Sequence, residues 1–185
     1  MIIGIAGTIG SGKGTIVEYL HQKKHFGHYS SSGRLKEILE ERGESATRLN
    51  LSTLADELMK EKEGGILQLS HERAQANGDA DYILESIHRE SEAVYVRSIG
   101  GIILGLDADL ETRFERTQKR QEGEKDNVTF EEFKESAARE DEGVTGTGPN
   151  ICAVLKNADY MITNNGTLEE LYVQVDEVLE KISEQ

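Results

Sequence analysis

Apolar residues fall along this chain in two alternating rhythms. Short runs rich in β-branched residues mark strands buried on both faces. They occur at Met1–Ala6, Gly27–Ser30, Ala80–Ile87, Gly100–Leu106 and Ala158–Thr163. Between them apolar positions recur every three or four residues, the period of a helix with one buried stripe. Leu35, Ile38 and Leu39 stripe Arg34–Glu41, which Gly43 ends. Leu51, Leu54, Ala55, Leu58 and Met59 stripe Thr47–Glu63, closed by Gly64-Gly65, and Ile66–Ala76 carries another helix. Leu168, Leu171, Val175, Val178, Leu179 and Ile182 stripe the last one. Ser31-Ser32-Gly33 reads as a turn. Asp107-Ala108-Asp109 reads as the cap of a helix over Leu110–Gln121. Thr129–Glu132 and Thr167–Glu170 are capping boxes that open two further helices, and a short helix fills Ile151–Asn157. His88–Arg97 mixes both signals, because Ala93-Val94-Tyr95-Val96 has strand propensity. A parallel sheet needs a crossover helix at that point, and we assign one. Strands alternating with helices in 185 residues predict one α/β domain, a three-layer sandwich around a five-stranded parallel sheet.

The first strand runs into Gly7-Thr8-Ile9-Gly10-Ser11-Gly12-Lys13-Gly14-Thr15, and a helix begins there, with Ile16, Tyr19 and Leu20 at helical spacing. Strand, glycine-rich loop and helix are the context a phosphate-binding loop requires. Glycines let the backbone wrap a polyphosphate closely and turn successive N–H groups inward. The unpaired N–H groups and dipole of the following helix favour the same anion. Lys13 supplies a mobile positive charge, and Thr15 or Ser11 a hydroxyl for the phosphates or a magnesium ion. The strict pattern G-x-x-x-x-G-K-[ST] fails by one place, because Gly14 follows Lys13 and Thr15 comes after it.

Charge changes the picture in one region. With 35 acidic and 21 basic residues the formal charge is −14, which repels nucleic acid and anionic membranes over most of the surface. Against that background Arg113, Arg116, Lys119 and Arg120 crowd one helix. Offsets of three and seven put Arg113, Arg116 and Arg120 on a common face. Guanidinium groups match phosphate oxygens with paired donors and keep their charge, and Arg116 and Arg120 are the phosphate candidates. The alternative is pairing with Glu111, Glu115 and Glu122 on a solvated face. Cys152 is the only cysteine, so neither an internal disulfide nor a cysteine-rich metal site is expected. The five histidines show no H-E-x-x-H spacing. No apolar run is long enough to span a membrane, and the N-terminus lacks a signal-peptide pattern; a cytoplasmic protein is expected.

The loop G-x-x-G-S-G-K-G-T resembles that of adenylate kinase and related nucleotide kinases, which often carry proline where this chain has Ile9. The segment A-D-Y-x-I-x-N-x-G-T-L-E-E-L, starting at Ala158, resembles the C-terminal end of dephospho-CoA kinases and archaeal-type nucleotide kinases. The resemblance spans nearly the whole chain. It implies ATP, Mg2+, a sheet order of 2-3-1-4-5, and a ligand at the carboxyl ends of the strands. Gly7, Gly10, Ser11, Gly12, Lys13, Gly14 and Thr15 then hold the nucleotide phosphates, with Asn165 and Gly166 beside the base. Relatives end the third strand in an aspartate-glycine segment followed by arginine. Here that stretch is Glu85-Ser86-Ile87-His88-Arg89, which makes Glu85 the candidate for orienting metal-bound water or engaging the acceptor. His88 or Arg89 takes the place of the relatives' arginine. The resemblance also implies a helical acceptor insert over residues 31–76, where Arg34, Lys36 and Arg48 are the phosphate candidates. The polar stretch from Gln121, the glycines near Pro149 and the helix between them read as a lid over residues 121–149. A lid excludes water and can bring Arg139 into the site on closure.

The expected function is an ATP-dependent phosphotransferase with Lys13, Glu85, Arg116 and Arg120 as its catalytic groups and Thr15 and Glu85 at the metal. The acceptor is a small nucleotide, first a nucleoside monophosphate. Dephospho-CoA is the alternative, and a non-kinase nucleotide-dependent regulator a further one.

Overall fold

β1 (Ile2–Gly7), β2 (Gly27–Tyr29), β3 (Tyr82–Glu85), β4 (Ile102–Asp107) and β5 (Tyr160–Thr163) form one sheet in the order β2-β3-β1-β4-β5, and every pairing is parallel. The structure is a computed structural model and describes residues 1–120, 128–142 and 150–184. Register aligns the strands so that Ile5 lies beside both Glu85 and Leu104, and Asp107 beside Thr163. The carboxyl ends of β1, β3, β4 and β5 therefore share one edge of the sheet.

Helices cover both faces, as a parallel sheet requires. On one face α1 (Lys13–Lys24) and α9 (Leu168–Ser183) bury Ile16, Leu20, Leu171 and Val175 against Ile3, Ile5, Ile83, Leu104 and Ile162. On the other, α4 (Gly65–Asn77), α5 (Glu90–Ser98) and α8 (Ile151–Lys156) bury Leu67, Ala74, Val96 and Val154 against Leu84, Ile87 and Ile103. A third cluster belongs to α2 (Ser31–Glu41), α3 (Arg48–Glu61) and α4, where Leu35, Leu39, Leu54, Leu58 and Ile66 meet. Those helices carry a small core of their own beside the sheet.

Two local expectations need correction. Ser31-Ser32-Gly33 is the first turn of α2 rather than a separate turn, because Ser30 is its N-cap and accepts a hydrogen bond from Gly33 N at 3.2 Å. β3 stops at Glu85 rather than running to Ile87, because Ser86 adopts φ +67 and turns the chain out of extended geometry. The helix assigned to the ambiguous stretch forms as α5, with Ala93, Tyr95 and Val96 buried and Val94 exposed. No helix among the described residues is long and apolar enough to cross a membrane.

Candidate nucleotide site

The loop between β1 and α1 is built around positions that exclude side chains. Gly10 and Gly12 have φ of +79 and +102, left-handed values that strain other residues, and a Cβ would come within 2.5 Å of Arg113 O at Gly10 and 2.4 Å of Asn164 Nδ2 at Gly12. The buried Ser11 hydroxyl donates to Thr8 O at 2.8 Å. Lys13 folds back across the loop, its ammonium donating to Gly7 O at 2.7 Å and Thr8 O at 2.9 Å. Ser30, Thr47, Asn150 and Thr167 cap α2, α3, α8 and α9 with side-chain oxygens, whereas α1 begins without a side-chain cap. Its first N–H groups remain suited to an anion. Gly14 faces open space, with nothing within 4 Å of a Cβ there, and Thr15 is half-buried beside it.

Two other strand ends brace the loop. Of the segment Asp107-Ala108-Asp109, Asp109 stands directly before α6 (Leu110–Arg120) and its main-chain carbonyl accepts from Arg113 N at 2.9 Å, whereas the Asp107 carboxylate accepts from Thr8 Oγ1 at 2.7 Å and faces Arg113 Nε at 3.8 Å. Arg113 is 6% exposed, and its Nε and Nη1 have no hydrogen-bond partner. It lies between the loop and α7 (Phe130–Glu142), with its guanidinium 6.0 Å from the centre of the Phe133 ring. After β5, the buried Asn164 donates through Nδ2 to Ser11 O at 2.8 Å, and its main-chain carbonyl accepts from Arg116 Nη1 at 2.8 Å. Arg116 is thereby tied to the loop through one residue.

Glu85 closes the site on the β3 side. His28 Nε2 lies 3.0 Å from Glu85 Oε2, and Ser31 Oγ donates to Glu85 O at 3.0 Å. Burial pushes the Glu85 carboxyl up, but hydrogen bonds from His28 and Ser30 and the charges of His28 and Lys13 outweigh it and hold the carboxyl below its ordinary value. His88 presents an open surface yet is crowded by protein, as a side chain in a cleft is; that crowding, then Lys13 and Arg89, push its imidazole down to about 4. Lys13 acts on both groups, so the three share one electrostatic neighbourhood. Glu92 accepts from the main-chain N–H groups of His88 and Arg89 at 2.8 and 3.0 Å, which fixes this turn.

The other sequence candidates lie further out. Arg34 is held by Glu37 at 3.0 Å and Glu41 at 3.1 Å, and Arg89 by Asp56 at 2.6 Å. Lys36 and Arg48 are exposed on α2 and at the start of α3. Arg120 ends α6 at the surface, and Arg139 pairs with Glu135 on the exposed face of α7. Asn165 and Gly166 are exposed; they line an open pocket of about 530 Å3 with Glu169, Val173 and Gln174, and Asn165 Oδ1 accepts from Asp109 N at 2.8 Å. Of the expected lid, residues 121–127 and 143–149 lie outside the described residues. Among the described residues no group of three or more His, Cys, Asp or Glu could hold a metal ion. Asn164, Arg113, Asp107 and His28 were not among the sequence candidates for the site.

A parallel sheet in this order, with a glycine loop and its lysine at the end of the central strand, defines a P-loop domain with a kinase-like fold. Residues 3–141 match the AAA domain family AAA_18, and the chain belongs to that family. Membership in this P-loop family implies nucleotide binding. The UPF0200 protein of Hyperthermus butylicus is 26% identical over 188 residues, covering 100% of this chain and 96% of that protein. The UPF0200 protein of Methanothermobacter thermautotrophicus is 27% identical over 186 residues, covering 100% and 92%. Among solved structures, shikimate kinase from Aquifex aeolicus aligns with a TM-score of 0.55 at 16% identity over 99% of this chain and 98% of that one. Dephospho-CoA kinase from Campylobacter jejuni aligns with a TM-score of 0.57 at 15% identity over 100% and 98%. At such identities the likeness is one of fold.

Proposed function

We propose that this protein is an ATP-dependent phosphotransferase that moves the γ-phosphoryl group to a small nucleotide acceptor, most simply a nucleoside monophosphate. The observation that carries this reading is the glycine loop with Lys13 folded across it and Arg116 tied to it through Asn164, beside Glu85, which ends β3 in register with Ile5 of β1. Phosphoryl transfer is mainly positioning and charge neutralisation. The loop N–H groups and Lys13 hold the β- and γ-phosphates. Arg116 and Arg120 share the charge of the migrating group. The glycine cradle, the uncapped start of α1 and the open space at Gly14 fit a polyphosphate. A hydroxyl and a carboxylate, from Thr15 and Glu85, fit Mg2+, which keeps several waters and neutralises phosphate charge when bound. Asn165 and Gly166 lie beside the base. The segment 31–76 receives the acceptor, with Arg34, Lys36, Arg48, His88 and Arg89 as its ligands. Residues 121–149 close over both and carry Arg139 inward.

A second reading is a hydroxyl acceptor, as in a dephospho-CoA kinase. It is favoured by the engagement of Arg34 and Arg89 with carboxylates, which leaves fewer cations for an acceptor phosphate, and it makes Glu85 the group that receives the hydroxyl proton. Incubation with Mg-ATP and AMP, CMP, deoxynucleoside monophosphates, shikimate or dephospho-CoA, read by mass spectrometry, separates the two. A phosphorylated nucleoside monophosphate supports the first, and phosphorylated dephospho-CoA the second. ATP binding with no acceptor modified would replace both with a nucleotide-dependent regulator.

A further inference from the structure

The alternation of β3 puts Glu85 on the face of the sheet where Ile83 packs in the core beneath α1. On the neighbouring strand His28 stands in register with Ile83, so its side chain leaves the sheet on that same face. The two meet at 3.0 Å, His28 Nε2 against Glu85 Oε2, with the side chains only 29% and 20% exposed. Ser31, at the start of α2, donates through Oγ to the Glu85 main-chain carbonyl at 3.0 Å and holds the backbone of the same residue. A half-buried carboxylate without such partners is free to rotate or to take up a proton. His28 comes from β2, an edge strand of the sheet, and not from the phosphate loop.

We propose that His28 is the positioning residue of Glu85: it fixes the rotamer of the carboxylate that faces the reacting groups. The proposal rests on the role given to Glu85 above. His28 acts through Glu85, as groups behind a metal or acceptor ligand do. It lines a cavity of about 640 Å3 together with Ser30, Arg34 and Arg73, and its ring centre is 6.1 Å from that of His21.

The test compares His28→Ala, His28→Gln and Glu85→Gln, each also combined with the other site. The readout is ADP release from Mg-ATP in the presence of pooled AMP, CMP, deoxynucleoside monophosphates, shikimate and dephospho-CoA. Positioning predicts a fall in kcat of about 10–100-fold for His28→Ala, with KM for ATP unchanged. His28→Gln, whose amide N–H reaches the same oxygen, recovers most of it. In a Glu85→Gln background His28→Ala adds nothing. Full kcat in His28→Ala, a loss confined to KM, or additive losses in the double variant overturn the proposal. The carboxyl carbon resonance of Glu85 in nucleotide-free protein reads the contact without turnover. It should shift in His28→Ala and return toward wild type in His28→Gln, and an unchanged resonance overturns the proposal. If wild type releases no ADP but the resonance shifts as expected, the phosphotransferase reading fails while the His28–Glu85 contact stands.

Discussion

Replacing Asn164 with alanine should loosen the phosphate loop from behind. Asn164 is 4% exposed, and its Nδ2 donates to Ser11 O at 2.8 Å. The substitution strands that carbonyl in a site water does not reach, at a cost of about 1–3 kcal/mol for an unsatisfied buried group. Arg116 loses only its longer contact, Nη2 to Asn164 Oδ1 at 3.4 Å, because Nη1 bonds the main-chain carbonyl of residue 164 at 2.8 Å. The net loss is then about 2 kcal/mol. In a domain of this size each 1 kcal/mol lowers Tm by about 2–4 °C, so the variant should melt about 4–8 °C below wild type. Calorimetric melting without nucleotide measures this, and titration with Mg-ATP should show weaker binding as the loop loses its brace. Asn164→Asp should not rescue, because a carboxylate cannot donate to Ser11 O. An unchanged Tm in Asn164→Ala, or a full rescue by aspartate, would refute the reasoning.

Two further outcomes follow from local geometry. Ser86 holds φ +67 directly after Glu85, where a side chain costs about 1–2 kcal/mol that glycine avoids. Glycine offsets part of that gain by raising the entropy of the unfolded chain, so Ser86→Gly should raise stability by about 1 kcal/mol net in chemical denaturation; a destabilised variant would contradict this. His88 has its pKa pushed down to about 4 from 6.5. Its neutral form is the one the fold favours, so the unfolded chain binds more protons between those values and stability falls as pH drops through that window. Glu85, held below its ordinary 4.5, loses its contribution only at lower pH. Between pH 7 and 5, wild type should therefore lose more Tm than His88→Gln, and equal losses would show that His88 is not crowded as described.

Much of the architecture was legible because its signals are local. The β-branched runs, the capping boxes at Thr129 and Thr167, and the glycines of the loop each act within a few residues, and the elements they predict are present. The sheet order came from resemblance alone, since pairing between distant strands leaves no local trace. The site was legible where one residue type serves one purpose, as with Lys13 and the loop glycines. It was less so where side-chain direction decides. The resemblance points to Asn165 for the base, and it says nothing of its neighbour Asn164, which touches the loop. Strand alternation explains this: Asn164 shares the inward face with the buried Ile162, and Asn165 points away. That two-residue period was available in the sequence. The segment Asp107-Ala108-Asp109 reads as one helix cap, but only Asp109 stands at the helix start, while Asp107 bonds Thr8. Arg113 was placed on the same helix face as Arg116, yet it packs inward between the loop and α7. Helical offsets give a common face without saying what covers it. His28 had no signal at all, because its partner lies on a strand paired with it only in three dimensions.

The central claim is that the backbone cradle and Lys13 capture a polyphosphate, and isothermal titration with Mg-ATP tests it most directly. Lys13 supplies charge-assisted hydrogen bonds worth about 1.5–3 kcal/mol, so Lys13→Ala should weaken binding about 10–100-fold relative to wild type. A wild-type protein that gives no binding heat with Mg-ATP at any temperature, or a Lys13→Ala variant that binds it equally well, would contradict the account.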